Sequence, residues 1–177
     1  SMFVLPDGNI LVSSTDMLHE TTDFPAGMTE FEMGWMSVAV TLSDIASTGA
    51  APSQVLVAVG LDRPERLYPF MEGAVACAKM FGAQVAGGDI DSHQELTAVT
   101  TAFGIVSETH YCRRSGAQVG DKVCVTGIPG RAQAALDGRG EFRSFLLTPE
   151  PQVKAGQKIA QAGASSMMDV SDGVVIS

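Results

Sequence analysis

The sequence predicts an α/β (α+β) chain, a mixed sheet flanked by helices. Three observations lead there. Residues 54–61 form a near-continuous apolar run, the pattern of a buried strand. Phe31, Gly34, Trp35, Val38, Ala39, Leu42, Ile45 and Ala46 recur at the i, i+3, i+4, i+7 spacing of one helical stripe. Strand-like and helix-like stretches then alternate along the chain.

In chain order, the Asp7-Gly8 turn signal precedes a strand over 9–16 that turns polar at Ser13-Ser14-Thr15-Asp16. Residues 17–28 are irregular, with Phe24-Pro25-Ala26-Gly27 as a loop. Thr29 and Glu32 have capping-box spacing, so the long helix begins near Glu30, and Gly49 stops it. Asp44 falls roughly opposite the apolar stripe, on a face shared with Ser37, Val40, Thr41 and Ser47 or Thr48. That face carries no long Lys or Glu, so something is expected to cover it closely.

After the strand at 54–61, Asp62 and Pro64 open a second helix. Its stripe is Leu67, Phe70, Met71, Ala74, Val75 and Ala78, and Gly82 ends it. A short strand at 83–86 runs into Gly87-Gly88-Asp89, and a long Thr/Val/Ala-rich strand covers 96–106. The polar, glycine-containing stretch from Cys112 to Asp121 suggests a boundary, giving domains at 1–112 and 113–177. In the second, a strand is expected at 122–127, a short helix at 131–136, and a helix after Thr148-Pro149-Glu150-Pro151 with Val153, Ile159 and Ala160 as inward candidates. This second unit is smaller than a common domain and is expected to be incomplete.

Composition excludes several functions. A net charge of −9 argues against a nucleic-acid surface or an anionic membrane face. The 3 cysteines, Cys77, Cys112 and Cys124, lack CxxC spacing and suit reduced cytosolic thiols, so a cytoplasmic protein is expected. His19, His93 and His110 form no metal motif. No apolar run is long enough for a membrane span, and no signal-peptide pattern is present.

Acids stand at four informative places: Ser14-Thr15-Asp16, Asp44, Gly88-Asp89 and Asp169-Val170-Ser171-Asp172. Each has an ordinary use as a cap, turn or helix start. Together they suggest a hard-cation site, because Mg²⁺ takes oxygen ligands and bridges carboxylates to phosphates. Gly87 and Gly88 would let backbone N–H groups approach a phosphate, and Arg113 and Arg114 would supply forked donors, unless they are two solvated linker arginines. No P-loop, G-x-G-x-x-G or protein-kinase signature is present.

The ordered set Ser13-Ser14-Thr15-Asp16-Met17-Leu18, Gly34-Trp35, residues 39–46, Gly49-Ala50 and Gly87-Gly88-Asp89 resembles the thiamine-monophosphate kinase family. Arg114-Ser115-Gly116-Ala117, Val119-Gly120-Asp121, Val125-Thr126-Gly127, Thr148-Pro149 and Asp169-Val170-Ser171-Asp172-Gly173 continue it in order over nearly the whole chain. That family sits in the aminoimidazole ribonucleotide synthetase-like ATP-binding superfamily. The resemblance implies an N-terminal domain forming a shared β-barrel in a homodimer, plus the start of a second α/β domain. It also implies Mg²⁺-dependent transfer of the γ-phosphoryl group of ATP to thiamine phosphate, giving thiamine diphosphate. Ser14, Thr15, Asp16, Asp44, Asp89, Asp169 and Asp172 would hold the metal. Gly88, Asp89, Arg114 and Ser171 would touch ATP.

The pattern departs from the family in three ways. A family glycine-aspartate-aspartate stretch would lie ahead of Ser1. A family histidine that contacts substrate is replaced by Asp23. Most of the second domain is expected to be missing, so the chain is expected to be truncated at both ends. Two other readings stay open at this point: a ligase resembling aminoimidazole ribonucleotide synthetase, and a non-catalytic nucleotide-binding or dimerisation fragment. An acceptor screen separates the first from the kinase, and the extent of the gene on either side separates the second.

Overall fold

The computed structural model describes residues 1–171, 173 and 174. Its centre is a five-stranded sheet in the order β1-β2-β5-β3-β4, formed by β1 (Met2–Val4), β2 (Asn9–His19), β3 (Ala51–Leu61), β4 (Gln84–Ser92) and β5 (Thr97–Ser107). Every neighbouring pair is antiparallel except β3 and β4, which are parallel, so the sheet is mixed. The four strands expected over residues 1–112 are all present; β2, β3 and β4 are longer than expected, β5 is shifted by one residue at the same length, and Gly87-Gly88-Asp89 lies inside β4 rather than beyond it. β1 has no counterpart among those expectations: at three residues it shows no alternation, and only its pairing to β2 defines it.

Helix α1 (Glu30–Ser47) begins at the expected capping box, with the Glu32 amide donating to Thr29 Oγ1 and the Thr29 amide to Glu32. It ends before Gly49, whose φ of 78° lies in the left-handed region. Pro64–Arg66 form a 3₁₀ turn that leads into α2 (Leu67–Met80). Both helices cover one face of the sheet. Val38, Leu42 and Ile45 of α1, Phe70 and Ala74 of α2, and Ile10, Val55 and Ala102 of the strands are buried together there.

The two helices cross at very short range. A Cβ at Gly34 would stand 1.9 Å from the Phe70 carbonyl oxygen, and one at Gly73 would stand 1.9 Å from that of Phe31. Each helix thus uses a glycine where the other presents its backbone. Phe31 and Val75, expected in the apolar stripes, are instead exposed. At so close a crossing the contact is made by backbone at Phe31, and its ring turns outward beside Trp35, with ring centroids 6.5 Å apart.

A buried arginine not foreseen from the sequence ties the sheet's end to the helices. Arg66, 5% exposed, donates to both Glu20 carboxylate oxygens at 2.6 and 2.7 Å, to Asp62 at 2.9 Å and to Glu30 at 3.1 Å. The carboxylates around it, Glu20 first, hold its charged form well above the ordinary range.

The second part of the chain packs on α1. Helix α3 (Arg131–Leu136) is as expected, followed by α4 (Arg143–Leu147) and α5 (Val153–Gln161). Trp35 Nε1 donates to the Pro149 carbonyl at 2.9 Å, and a Cβ at Gly156 would stand 2.1 Å from the Ala46 carbonyl oxygen. Ile159 faces outward while Gly156 and Ala160 face α1, because a flat glycine-alanine surface permits that approach. No strand forms over 122–127: Val123 is fully exposed there. An apolar alternation needs a neighbouring strand to share its hydrogen bonds, and none among the described residues lies beside it.

The crossing gives a direct test. Gly34→Ala should destabilise the fold by about 1–3 kcal/mol, because the new methyl overlaps a backbone oxygen that cannot move alone. Urea denaturation checks this, and an unchanged midpoint would show that the helices separate without cost.

Candidate functional site

The candidate site lies where the middle of β2 passes under α1. Strand alternation divides the Ser14-Thr15-Asp16 triplet. Ser14 and Asp16 share the helix-covered face with Ile10 and Val12. Thr15 points to the opposite face, where its hydroxyl meets that of Thr101 at 2.9 Å. Ser14 Oγ donates to Asp44 Oδ2 at 2.5 Å, joining β2 to α1. The face of α1 that bears Asp44 is indeed covered, and the cover is β5: Thr100 Oγ1 donates to the Ser37 carbonyl at 2.6 Å and contacts Thr41 Oγ1.

Asp169 reaches this place from the second part of the chain. The loop before it is pinned by Ser166 Oγ, which donates to the Arg114 carbonyl at 2.6 Å and lies 3.0 Å from that of Arg113, and by the Met167 amide on the Arg113 carbonyl at 3.2 Å. Burial, then the Asp44 charge, pushes the Asp16 carboxyl above its ordinary range, with the Thr41 hydroxyl pulling the other way. Burial and Asp44 likewise raise Asp169, opposed by Ser43 and the Arg114 charge. Asp16 Oδ2 is buried and, among the described residues, has no hydrogen-bond partner. An orphaned buried carboxylate oxygen is costly unless something cationic meets it.

The donors around it fit a hard cation, being carboxylates and hydroxyls. Among the described residues, no three His, Cys, Asp or Glu side chains converge as a ready metal cage. That suits Mg²⁺, which keeps several waters and takes one or two carboxylates together with phosphate oxygens. Beside the acids, a cleft of about 490 Å³ is lined by Ser14, Asp44, Ser47, Thr48, Arg113 and Arg114 among others. Arg113 lies 5.7 Å above the Tyr111 ring, and among the described residues neither arginine is within ion-pair reach of a carboxylate. Two guanidinium groups placed so beside an acid cluster suit a ligand of high negative charge.

The other expected site residues stand apart. Asp89 pairs with Ala58, which pairs with Val99 and so with Met17 across the sheet. Three strand spacings of about 4.8 Å put its backbone about 14 Å from β2. It is exposed, on the helix-free face. Gly88 does lie on the row of Asp16, but its lack of a side chain serves the sheet: a Cβ there would stand 1.7 Å from the Val57 carbonyl oxygen. Asp23 closes a turn, accepting from the His19 amide at 2.7 Å and Thr22 Oγ1 at 2.9 Å. Ser171 is exposed, and Asp172 lies outside the described residues. Thr100 and Ser43 are site neighbours that the sequence did not single out. The Thr-rich pattern of β5 was the available signal for the first.

The family model described as "AIR synthase related protein, N-terminal domain" matches residues 1–106. The chain belongs to the AIR synthase related family. It is 52% identical over its whole length to a curated thiamine-monophosphate kinase of Methanospirillum hungatei, of which it covers 62%. It is similar in structure to the thiamine-monophosphate kinase of Stenotrophomonas maltophilia, with 31% identity and a TM-score of 0.89 over 97% of this chain and 60% of that one. A structure described as AaThiL complexed with AMPPCP and TMP is 23% identical, with a TM-score of 0.92 over 99% of this chain and 60% of that one, and shares the fold. The chain thus spans about three fifths of the length of these relatives.

The buried carboxylate makes a prediction about pH. A raised folded value means that ionising Asp16 costs the folded chain stability. This penalty is absent below the ordinary value of 3.8 and grows in as pH rises past it. Asp16→Asn removes it, so the variant should melt higher than the unsubstituted chain at pH 7, with the gap closing as pH falls through 3.8. Thermal melts across that range check this, and a variant less stable at pH 7 would refute it.

Proposed function

We propose that this chain carries the nucleotide- and metal-binding part of an ATP-dependent thiamine-phosphate kinase. The orphaned Asp16 Oδ2 carries this reading: it lies beside Asp44 and Asp169, at a cleft lined by two arginines, in a chain 52% identical to a thiamine-monophosphate kinase. A terminal phosphate oxygen of thiamine phosphate attacks the γ-phosphorus of ATP, the bond to the β-phosphate oxygen breaks, and ADP leaves. No protein nucleophile is needed, so positioning and charge neutralisation dominate. Mg²⁺ would supply the neutralisation. Asp16, Asp44 and Asp169 with Ser14 would hold it, and Asp172 would join them. Arg114, together with Gly88 and Ser171, would meet the nucleotide.

The remaining expected residues enter through a homodimer. The helix-free face of the sheet is apolar, with Phe3, Met17, Leu56 and Ile105 exposed on it, and a second copy would cover it in a shared barrel. Thr15 and Asp89 lie on that same face, so each would serve a site to which both protomers contribute. Asp23, a carboxylate, would suit the cationic thiazolium end of the substrate rather than its phosphate. The boundary after Cys112 separates this dimerising unit from the part that delivers Asp169. No helix among the described residues is long and apolar enough to cross a membrane, in keeping with a proposed cytoplasmic location.

Calorimetric titration with a non-hydrolysable ATP analogue tests the reading. Binding should require Mg²⁺, and Asp44→Asn should weaken it at least about tenfold without lowering the thermal midpoint, because it also removes the charge that raises Asp16 and Asp169. Binding that ignores Mg²⁺, or a variant that loses stability but keeps affinity, would overturn the assignment. Sedimentation at micromolar concentration should give twice the 18.5 kDa of the chain. A monomer would remove the shared-site role of Asp89.

A further inference from the structure

Two arginines line the cleft, and they are held differently. Arg114 lies near enough to the acids for its charge to oppose the burial and the Asp44 charge that raise Asp169. Arg113 is turned to an aromatic ring instead. Tyr111 has an extended backbone, with φ −73° and ψ 113°, and no helix or turn interrupts residues 111–113. Side chains two apart share a side of an extended chain. The Arg113 guanidinium accordingly stands over the Tyr111 ring, 5.7 Å from its centroid. Backbone bonds fix this pair on both sides: the Cys112 amide donates to the Thr48 carbonyl at 3.1 Å, and the Met167 amide donates to the Arg113 carbonyl at 3.2 Å. Tyr111 also packs against the hydrophobic core, so it forms a firm floor. Arg113 itself is exposed, and among the described residues its guanidinium makes no hydrogen bond or ion pair.

The cleft has two kinds of lining. Ser14, Asp44 and Ser47 are polar, while Met2, Val12 and Met167 join Tyr111 in offering apolar surface. A nucleoside triphosphate has the same two halves, a charged chain and a flat base. Its phosphates suit the acids once a cation neutralises them. Its base needs a π surface. A guanidinium is planar and weakly hydrated, and it stacks readily on flat π systems. We propose that Arg113, seated on Tyr111, is the platform on which the base of the nucleotide stacks, while Arg114 and the acid cluster take its phosphates. Arg113 is then a specificity-determining residue, separating a nucleoside triphosphate from a bare chain of phosphates. The inference rests on reading the chain as a nucleotide binder.

Calorimetric titration of the whole chain in Mg²⁺ with two probes tests it. One is the non-hydrolysable ATP analogue, and the other is inorganic tripolyphosphate, which has the phosphates and no base. The unsubstituted chain should bind the analogue at least about fivefold more tightly than tripolyphosphate, the scale of one stacked base. Arg113→Lys keeps the charge and removes the plane. It should weaken the analogue about fivefold or more, leave tripolyphosphate binding unchanged, and leave the thermal midpoint where it is. Normal binding of the analogue by Arg113→Lys overturns the proposal. So does a loss of tripolyphosphate affinity as large as that of the analogue, which would make Arg113 a phosphate ligand. Equal affinity of the unsubstituted chain for the two probes overturns the platform and leaves the kinase reading standing. No Mg²⁺-dependent binding of either probe overturns the kinase reading and this inference with it.

Discussion

The structure depends on how closely the backbone of α1 is approached. α2 meets it through Gly34 and Gly73, α5 through Gly156 over Ala46, and the sheet through Thr100 against Ser37 and Thr41. No large side chain separates these layers at the points of contact. Helices packed this way are located by hard backbone atoms rather than by deformable side chains. The positions of Asp44 above Ser14 and of Asp169 beside Asp44 follow from that packing. The α1–α2 crossing fixes the helix, and the α1–α5 contact fixes the stretch of chain that carries Asp169.

The acidic chain treats its charges in two opposite ways. At the sheet's end, Arg66 is enclosed by Glu20, Glu30 and Asp62, each within hydrogen-bond distance. That network is satisfied within the protein and ties the ends of β2 and β3 to α1. In the middle of β2, Asp16 is held near Asp44 and Asp169 with a buried oxygen left unsatisfied. A protein that can neutralise one buried charge so completely leaves the other open at a cost in stability. Local rules are broken in this way where a ligand completes the structure.

Much of this could be read before any fold was known. The capping box at Thr29–Glu32, the stop at Gly49 and the short helix over 131–136 are local effects, set by hydrogen bonds within a few residues. The strands were legible in kind but too short in extent, because pairing carries β2 and β4 past the point where the apolar pattern ends. The run at 122–127 had the right pattern and no partner, so it stayed irregular. Among site residues, Asp44 was legible from its face: a helix side made of Ser, Thr, Val and one Asp is covered, and β5 covers it.

The sequence by itself determined most of the element types and the run of acids and hydroxyls from which an oxygen-rich cluster could be built. Those depend on residue identity and on spacing along one chain. Tertiary structure alone decided which acids meet. Strand alternation sends Thr15 away from Ser14 and Asp16, and sheet order places Asp89 three strands from β2. The docking of α5 on α1, with the following loop held to the Arg113 and Arg114 carbonyls, brings Asp169 to Asp44 across about 125 residues of chain. Convergence of this kind is a property of packing between distant segments, and no local pattern encodes it.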